Sequence, residues 1–337
     1  MKIAKGKLAG LQAVSNERGV IAALAIDQRN ALRTLLAKAK QTAPEAIPDA
    51  MLEQFKEAVS RVLTPHASAI LLDPEYGLPA ARKRARNAGL LLAYERTGYD
   101  KAVPGRLPRL LEHWSVRRLA DEGADCIKVL LYYSPFSAAP INEAKHAWVE
   151  RIGAECAGAD VPFFLELVVY HDAMEEKSLE FARLKPETVI GSLEEFSKPR
   201  YGVDVFKVGV PVNMAFVAGA GQSATAYTRE EAKRHFESAS AAAGKPFIYL
   251  SEGVSNETFN EALELAAEAG ARFSGVLCGR ATWKNGVEIF AQQGISALED
   301  WLQEQGVKNI QRMNERLRAA SPWFGFYGAS TAAALSS

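Results

Sequence analysis

"VDVFKVGVPVN", residues 203–213, is the stretch on which the fold turns. Val203, Val205, Phe206, Val208 and Val210 are apolar on both faces of an extended chain, the pattern of a parallel strand covered by helices on both sides. Lys207 sits in the middle of that run. A lysine is almost never fully buried unless something pairs with it or uses it. The stretch therefore poses a question of chemistry as well as of fold.

Seven more runs of this kind lie along the chain. They are "GVIAALAID" (19–27), "ASAILLD" (67–73), "GLLLAYE" (89–95), "DCIKVLLYY" (125–133), "PFFLELVVY" (162–170), "PFIYLSEG" (246–253) and "GVLCGRA" (275–281). Helix-like segments separate them, among them "EQFKEAVSRVL", "RLLEHWSVRRLADEG", "KHAWVERIGAECAGA", "TREEAKRHFESASAAAG" and "SNETFNEALELAAEAG". The last begins at Ser255, has Thr258 three residues on, and reaches a C-capping glycine at Gly270. Eight strands alternating with helices over about 300 residues is the pattern of an α/β fold of the (β/α)₈ TIM-barrel type. A doubly wound open sheet is the rival, but it usually has fewer strands or a second domain, and no linker or break in composition marks one. The expectation is one barrel domain over residues 1–320, followed by a small, polar, partly disordered tail over 321–337. The basic run "ARKRARNAG" (81–89) reads as a solvated helix face.

The chain has 337 residues and is 48% hydrophobic, ample for a large core. Its 40 basic and 40 acidic residues cancel, which argues against a nucleic-acid or membrane-surface binder. Cys126, Cys156 and Cys278 are far apart and form no CxxC pair, so reduced thiols in a cytoplasm are expected. The start, "MKIAKGKLAGLQAV", lacks the apolar core of a signal peptide, and no apolar run approaches the ~20 residues of a membrane span. His66, His113, His146, His171 and His235 are scattered without metal-ligand spacing, so neither metal nor cofactor is expected. His171 and Asp172 follow the fifth strand, where they could touch substrate, but read first as surface loop. "GAGQSA" (219–224) matches a dinucleotide pattern, but no strand feeds it, and it reads as a flexible loop.

In a barrel, chemistry belongs at the C-terminal ends of the strands. The unusual polar residues fall there. Asp27 and Gln28 close the first strand. Lys128, Glu166 and Lys207 lie in three consecutive strands, and so can converge. Ser251, Glu252 and Gly253 end the seventh strand, and Gly279 and Arg280 the eighth. A structural ion-pair network is one reading. The other is catalytic: a desolvated lysine beside a second cation has a lowered pKa, attacks carbonyls and forms a Schiff base, while a nearby glutamate moves protons. Small residues and backbone N–H groups leading into helices at strands 7 and 8, with an arginine, suit a phosphate.

"ALAIDQR", "SAILLDPEYGLPA", "LLLAYERTGYD", "IKVLLYYSP", "PFFLELVVYHD", "VDVFKVGVPVN", "IYLSEGVS" and "GVLCGRATWKNGVEIF" together resemble the tagatose 1,6-bisphosphate aldolase family, over about residues 10–320. These are metal-independent, Schiff-base-forming aldolases on a (β/α)₈ barrel. The resemblance implies Lys207 as the imine-forming lysine, Glu166 as acid/base, and Lys128 with Asp27 on substrate oxygens. It implies that Gln28, Ser251, Gly253, Gly279 and Arg280 bind substrate, chiefly its phosphates, with Glu252 in the same turn. The implied reaction is reversible cleavage of D-tagatose 1,6-bisphosphate, and of epimers such as fructose 1,6-bisphosphate. The products are dihydroxyacetone phosphate and glyceraldehyde 3-phosphate. The setting is cytoplasmic degradation of tagatose 6-phosphate and lactose. A homo-oligomer is compatible with it. Alternatives are a lyase for another tail group, such as sulfofructose phosphate, and a metabolite sensor without turnover.

The chain departs from the family pattern at one place. Where the family usually reads K-V-E-V-P, this chain has Gly209, two residues after the lysine and on the same face of the strand. Glu252 stands where relatives usually carry a small residue. One expectation is that Glu252 supplies the missing carboxylate to Lys207 or Lys128. The other is that it points to solvent while Gly209 leaves room for water.

Overall fold

The computed structural model describes residues 2–99, 103–219 and 224–336. The loop pattern at 219–224 therefore lies mostly outside the described residues. Eight parallel strands close into a barrel in chain order. They are β1 (Ile21–Ala25), β2 (Ala69–Leu72), β3 (Gly89–Ala93), β4 (Cys126–Tyr133), β5 (Phe163–Val169), β6 (Val205–Gly209), β7 (Phe247–Leu250) and β8 (Gly275–Cys278). The helices are α1 (Lys5–Ala13), α2 (Asn30–Ala39), α3 (Asp49–Leu63), α4 (Leu78–Ala81), α5 (Val116–Asp121), α6 (Ala139–Ala159) and α7 (Leu179–Phe196). They continue with α8 (Arg229–Ala242), α9 (Asn256–Glu268), α10 (Arg280–Trp283), α11 (Gly286–Gln293), α12 (Ile295–Trp301) and α13 (Val307–Arg316). The barrel, not the open sheet, is the fold. Among the described residues no helix is long and apolar enough to cross a membrane.

The strands are apolar on both faces because they serve two cores. Alternate residues point opposite ways. Ala23, Ala25, Ala69, Leu71, Leu91, Ala93, Cys126, Phe164, Val205, Ile248 and Leu277 form one buried cluster inside the barrel. Their strand neighbours, such as Ile70, Leu90, Ile127, Leu165 and Phe206, join the larger cluster between strands and helices. Parallel strands of this kind must be buried on both sides, and the helices supply the outer cover.

Helix ends follow local rules. Ser255 caps α9 by accepting the N–H of Thr258, and Gly270 (φ +67°) takes up the left-handed position just beyond its end. Thr228 and Glu231 form a reciprocal capping box on α8. Two expectations change. The segment 109–123 is helical only from Val116, because Leu110 pairs with Glu95 in an antiparallel bridge and Ser115 caps the helix late. The basic run 81–89 is a turn, not a helix face; Arg84 folds back onto the carbonyls of Ala81 and Ala88.

The tail also differs from expectation. Residues 323–327 and 332–335 form 3₁₀ turns, and Ile3 bridges to Ser336. Trp323 and Leu335 are buried in the interior cluster beside Leu8, Leu11 and Val14 of the α1 region. A small polar segment orders here because its few large side chains close the N-terminal end of the barrel.

Candidate active site

On five strands the inward series turns polar at the C-terminal end. Two residues past Ala25 comes Asp27, past Ala93 comes Glu95, past Cys126 comes Lys128, past Phe164 comes Glu166, and past Val205 comes Lys207. Register then sets who meets whom. Glu166 lies directly opposite Lys207 on β6, and Lys128 is opposite Ala93 on β3.

Lys207 Nζ donates to Glu166 Oε2 at 2.8 Å. Lys128 Nζ lies 2.7 Å from the same oxygen, 2.7 Å from Glu95 Oε1 and 2.9 Å from Asp27 Oδ2. One carboxylate oxygen is thus shared by two lysines, and one lysine by three carboxylates. Arg29, in the loop after β1, donates to the Glu95 carbonyl at 2.9 Å and to Glu75 at 2.7 Å. All five central side chains are buried.

Burial and charge act against each other in this cluster. Burial alone disfavours the Lys128 ammonium, but Asp27, Glu166 and Glu95 together hold its pKa well above the ordinary value. Burial pushes Glu166 up, yet Lys128 and Lys207 bring it below the usual carboxylate range. Asp27 is lowered in the same way, against burial, by Lys128 and Lys207. Glu95 goes the other way: burial raises it, and Lys128 and Arg29 only partly offset that. Its Oε2 is buried and has no hydrogen-bond partner among the described residues. The result is a carboxylate held below its usual range between two lysine nitrogens, with a second carboxyl pushed above its usual range on the far side of Lys128.

Around this centre lie the other residues singled out in the sequence. Gln28 follows Asp27, with a buried Oε1 that has no partner among the described residues. Ser251 is buried at the end of β7. Gly279 precedes α10, and Arg280 opens it. The Arg280 guanidinium packs on Gly253, where an added Cβ would lie 2.9 Å from Cζ. Among the described residues Arg280 makes no ion pair, leaving a cation available to an anion at the mouth of the barrel. Glu252 forms its ion pair with neither Lys207 nor Lys128. Its Oε2 lies 2.6 Å from Lys185 Nζ of α7, so the expectation that it serves Lys207 or Lys128 is corrected; the residue is exposed at the rim, as the solvent-facing alternative has it, but carries this ion pair. His171 accepts the N–H of Ala173, and Asp172 accepts that of Gly105, as loop residues do. Among the described residues no group of three or more His, Cys, Asp or Glu side chains is arranged to hold a metal ion.

Sequence reading passes over Glu95, Arg29 and Lys185. Alternation from Leu91 and Ala93 points to Glu95; no comparable signal exists for Lys185, whose partner depends on how α7 packs.

Comparison with known proteins follows from this geometry. Residues 21–285 match the model of the DeoC/LacD family aldolases. The chain is 55% identical over 325 residues to tagatose 1,6-diphosphate aldolase 2 of Enterococcus faecalis, covering 96% of this chain and 97% of that one. It is 51% identical over 330 residues to the tagatose 1,6-diphosphate aldolase of Listeria monocytogenes serotype 4b, covering 97% and 96%. Among solved structures, a Schiff-base-forming fructose-1,6-bisphosphate aldolase superposes with a TM-score of 0.53 at 15% identity, over 88% of this chain and 99% of that one. The fructose-bisphosphate aldolase of Plasmodium falciparum gives 0.61 at 14% identity, over 97% of both chains. At those identities the structures speak to the fold alone. Barrel and relatives together define the class: a carbon–carbon lyase on a (β/α)₈ scaffold. Within that class, the chain belongs to the DeoC/LacD family of aldolases.

Proposed function

We propose that this aldolase cleaves D-tagatose 1,6-bisphosphate to dihydroxyacetone phosphate and D-glyceraldehyde 3-phosphate through an imine on Lys207. Epimeric ketose 1,6-bisphosphates, fructose 1,6-bisphosphate among them, are substrates of the same site. The reading is supported by one arrangement above all: Lys207 Nζ at 2.8 Å from a Glu166 oxygen that Lys128 also holds, toward the C-terminal end of an apolar strand.

The neutral Lys207 amine attacks the C2 ketone after passing a proton to Glu166. The carbinolamine loses water, with Glu166 returning the proton to the departing hydroxyl, and an iminium remains. That cation draws the electron pair of the C3–C4 bond as the C4 hydroxyl gives its proton to the Glu166 carboxylate, so the bond breaks and glyceraldehyde 3-phosphate leaves. Glu166 returns that proton to the enamine at C3, and water hydrolyses the iminium to release dihydroxyacetone phosphate and restore Lys207. Lys128, fixed by its carboxylates, and Asp27 hold substrate oxygens. Gln28, Ser251, Gly253, Gly279 and Arg280 bind phosphate through backbone N–H groups and the guanidinium fork. The reading assigns the reaction to cytoplasmic degradation of tagatose 6-phosphate and lactose, without metal, cofactor, nucleic acid or membrane.

Borohydride reduction in the presence of dihydroxyacetone phosphate and EDTA tests it. One adduct per chain is expected, on the peptide carrying Lys207, and Lys207→Ala should lower turnover by about 10³-fold or more. An adduct on Lys128, or loss of turnover in EDTA, overturns the mechanism.

A further inference from the structure

Gly209 pairs in register with Leu250 of β7, two residues before Glu252. The Glu252 carboxylate fills the space that a side chain at 209 would need. A Cβ there would lie 2.3 Å from Glu252 Oε1 and 2.5 Å from its Cδ, closer than real contacts allow. From that position Oε2 reaches Lys185 Nζ at 2.6 Å. Lys185 is buried, and Glu252 is its sole ion-pair partner among the described residues.

The backbone of the same turn is unusual. Glu252 has φ +48° and Gly253 φ +80°. The left-handed region is uncommon for a residue with a Cβ, and persists where the surroundings fix it. Here the ion pair to α7 supplies the fixing contact, and the missing side chain at 209 supplies the path. The turn so formed is the surface on which the Arg280 guanidinium lies. Three observations, a side-chain collision, a strained φ and a partly buried ion pair, meet at one residue.

We infer that Lys185, Gly209 and Glu252 form a positioning latch. The ion pair draws the turn between β7 and α9 onto α7, and thereby presets Ser251, Gly253 and Arg280 for a phosphate. The inference rests on the aldolase reading in one respect: it takes that phosphate to be the substrate's. Without the latch the turn must be ordered when the anion binds, which weakens binding more than it slows the chemical step.

The test uses the full chain and two readouts, calorimetric titration with inorganic phosphate and steady-state cleavage of tagatose 1,6-bisphosphate. Glu252→Ala should weaken phosphate binding and raise KM about 10-fold, with a smaller change in kcat. Glu252→Gln, which still accepts from Lys185, should recover most of that loss. Gly209→Ala should displace the carboxylate and mimic Glu252→Ala. In the Glu252→Ala background it should add nothing, because the side chain it collides with is gone. Unchanged phosphate affinity in Glu252→Ala overturns the latch. So do Gly209→Ala and Glu252→Ala losses that simply add, or a Gly209→Ala defect confined to kcat. A parent protein that does not cleave the bisphosphate overturns the aldolase reading instead, and the phosphate titrations still decide the latch.

Discussion

Lys128 and Lys145 are equally buried, and their surroundings differ completely. Lys128 is encircled by carboxylates. Lys145, on α6, donates to the Tyr170 hydroxyl at 3.0 Å and lies 4.9 Å from the centre of that ring, with no carboxylate paired to it among the described residues. Burial brings its pKa down to about 8, with Arg106 adding to the effect and Asp172 opposing it. In the unfolded chain it titrates near 10.5. Between those values the unfolded state binds more protons, so this group's contribution to stability improves as pH rises through the window. At pH 7 the ammonium is charged in both states, and its burial costs the fold in full. Lys145→Met should therefore raise Tm at pH 7, and the gain should shrink toward pH 10. A gain independent of pH, measured by calorimetry across that range, would rule out the charge as its cause. At this scale the sequence shows Lys128, Glu166 and Lys207 because each interrupts an apolar run. Asp27 and Glu95 both close their runs, where a polar residue is ordinary, and Glu95 passes unmarked. The path of the Glu252 side chain is not legible at all, because a left-handed backbone takes it off the strand's alternation.

Among the elements, α7 shows most plainly how packing decides what the sequence leaves open. Pro186 stands inside this 18-residue helix. A proline has no N–H to give to the carbonyl four residues back, here Ala182. That carbonyl instead accepts the hydroxyl of Tyr227, a buried residue just before α8. An interior proline normally reads as a helix end, so α7 stands out least in the sequence, whereas α3, α6, α8 and α9 declare themselves by apolar spacing and caps. The strands are more legible still, since runs apolar on both faces fit little except a covered parallel sheet. Tyr227→Phe should cost about 1–3 kcal/mol, the penalty for leaving a buried carbonyl unpaired. In a Pro186→Ala background, the restored N–H at 186 can take that carbonyl, and the same substitution should cost under about 1 kcal/mol. Urea denaturation of the four proteins measures the coupling. Equal costs in both backgrounds would mean that the hydroxyl does not stand in for the missing N–H.

The whole molecule separates its two ends. The C-terminal ends of the strands carry the buried charges, which cost stability to assemble. The N-terminal end is sealed by apolar side chains from α1 and from residues 321–336, in the division that barrels of this kind follow. Trp323 is fully buried there, its indole N–H donating to Ser15 Oγ at 3.2 Å, and the Tyr327 hydroxyl donates to the Asp204 carbonyl at 3.4 Å. These contacts are absent from any reading that takes the tail as frayed, because small and polar residues outnumber the few that anchor it. Removing a buried tryptophan side chain costs about 3–5 kcal/mol. Trp323→Ala should therefore lower Tm by about 5 °C or more. Truncation after Ala320 should lower it further, since the bridge between Ile3 and Ser336 goes as well. Neither change touches the charged end, so at 25 °C kcat per folded molecule should stay within about 2-fold of the parent. Scanning calorimetry paired with active-site titration by borohydride trapping separates the two quantities. A truncated chain with the parent's Tm would show that the tail merely rests on the barrel. A lowered kcat at unchanged Tm would show that the sealed end and the charged end are coupled through the strands between them.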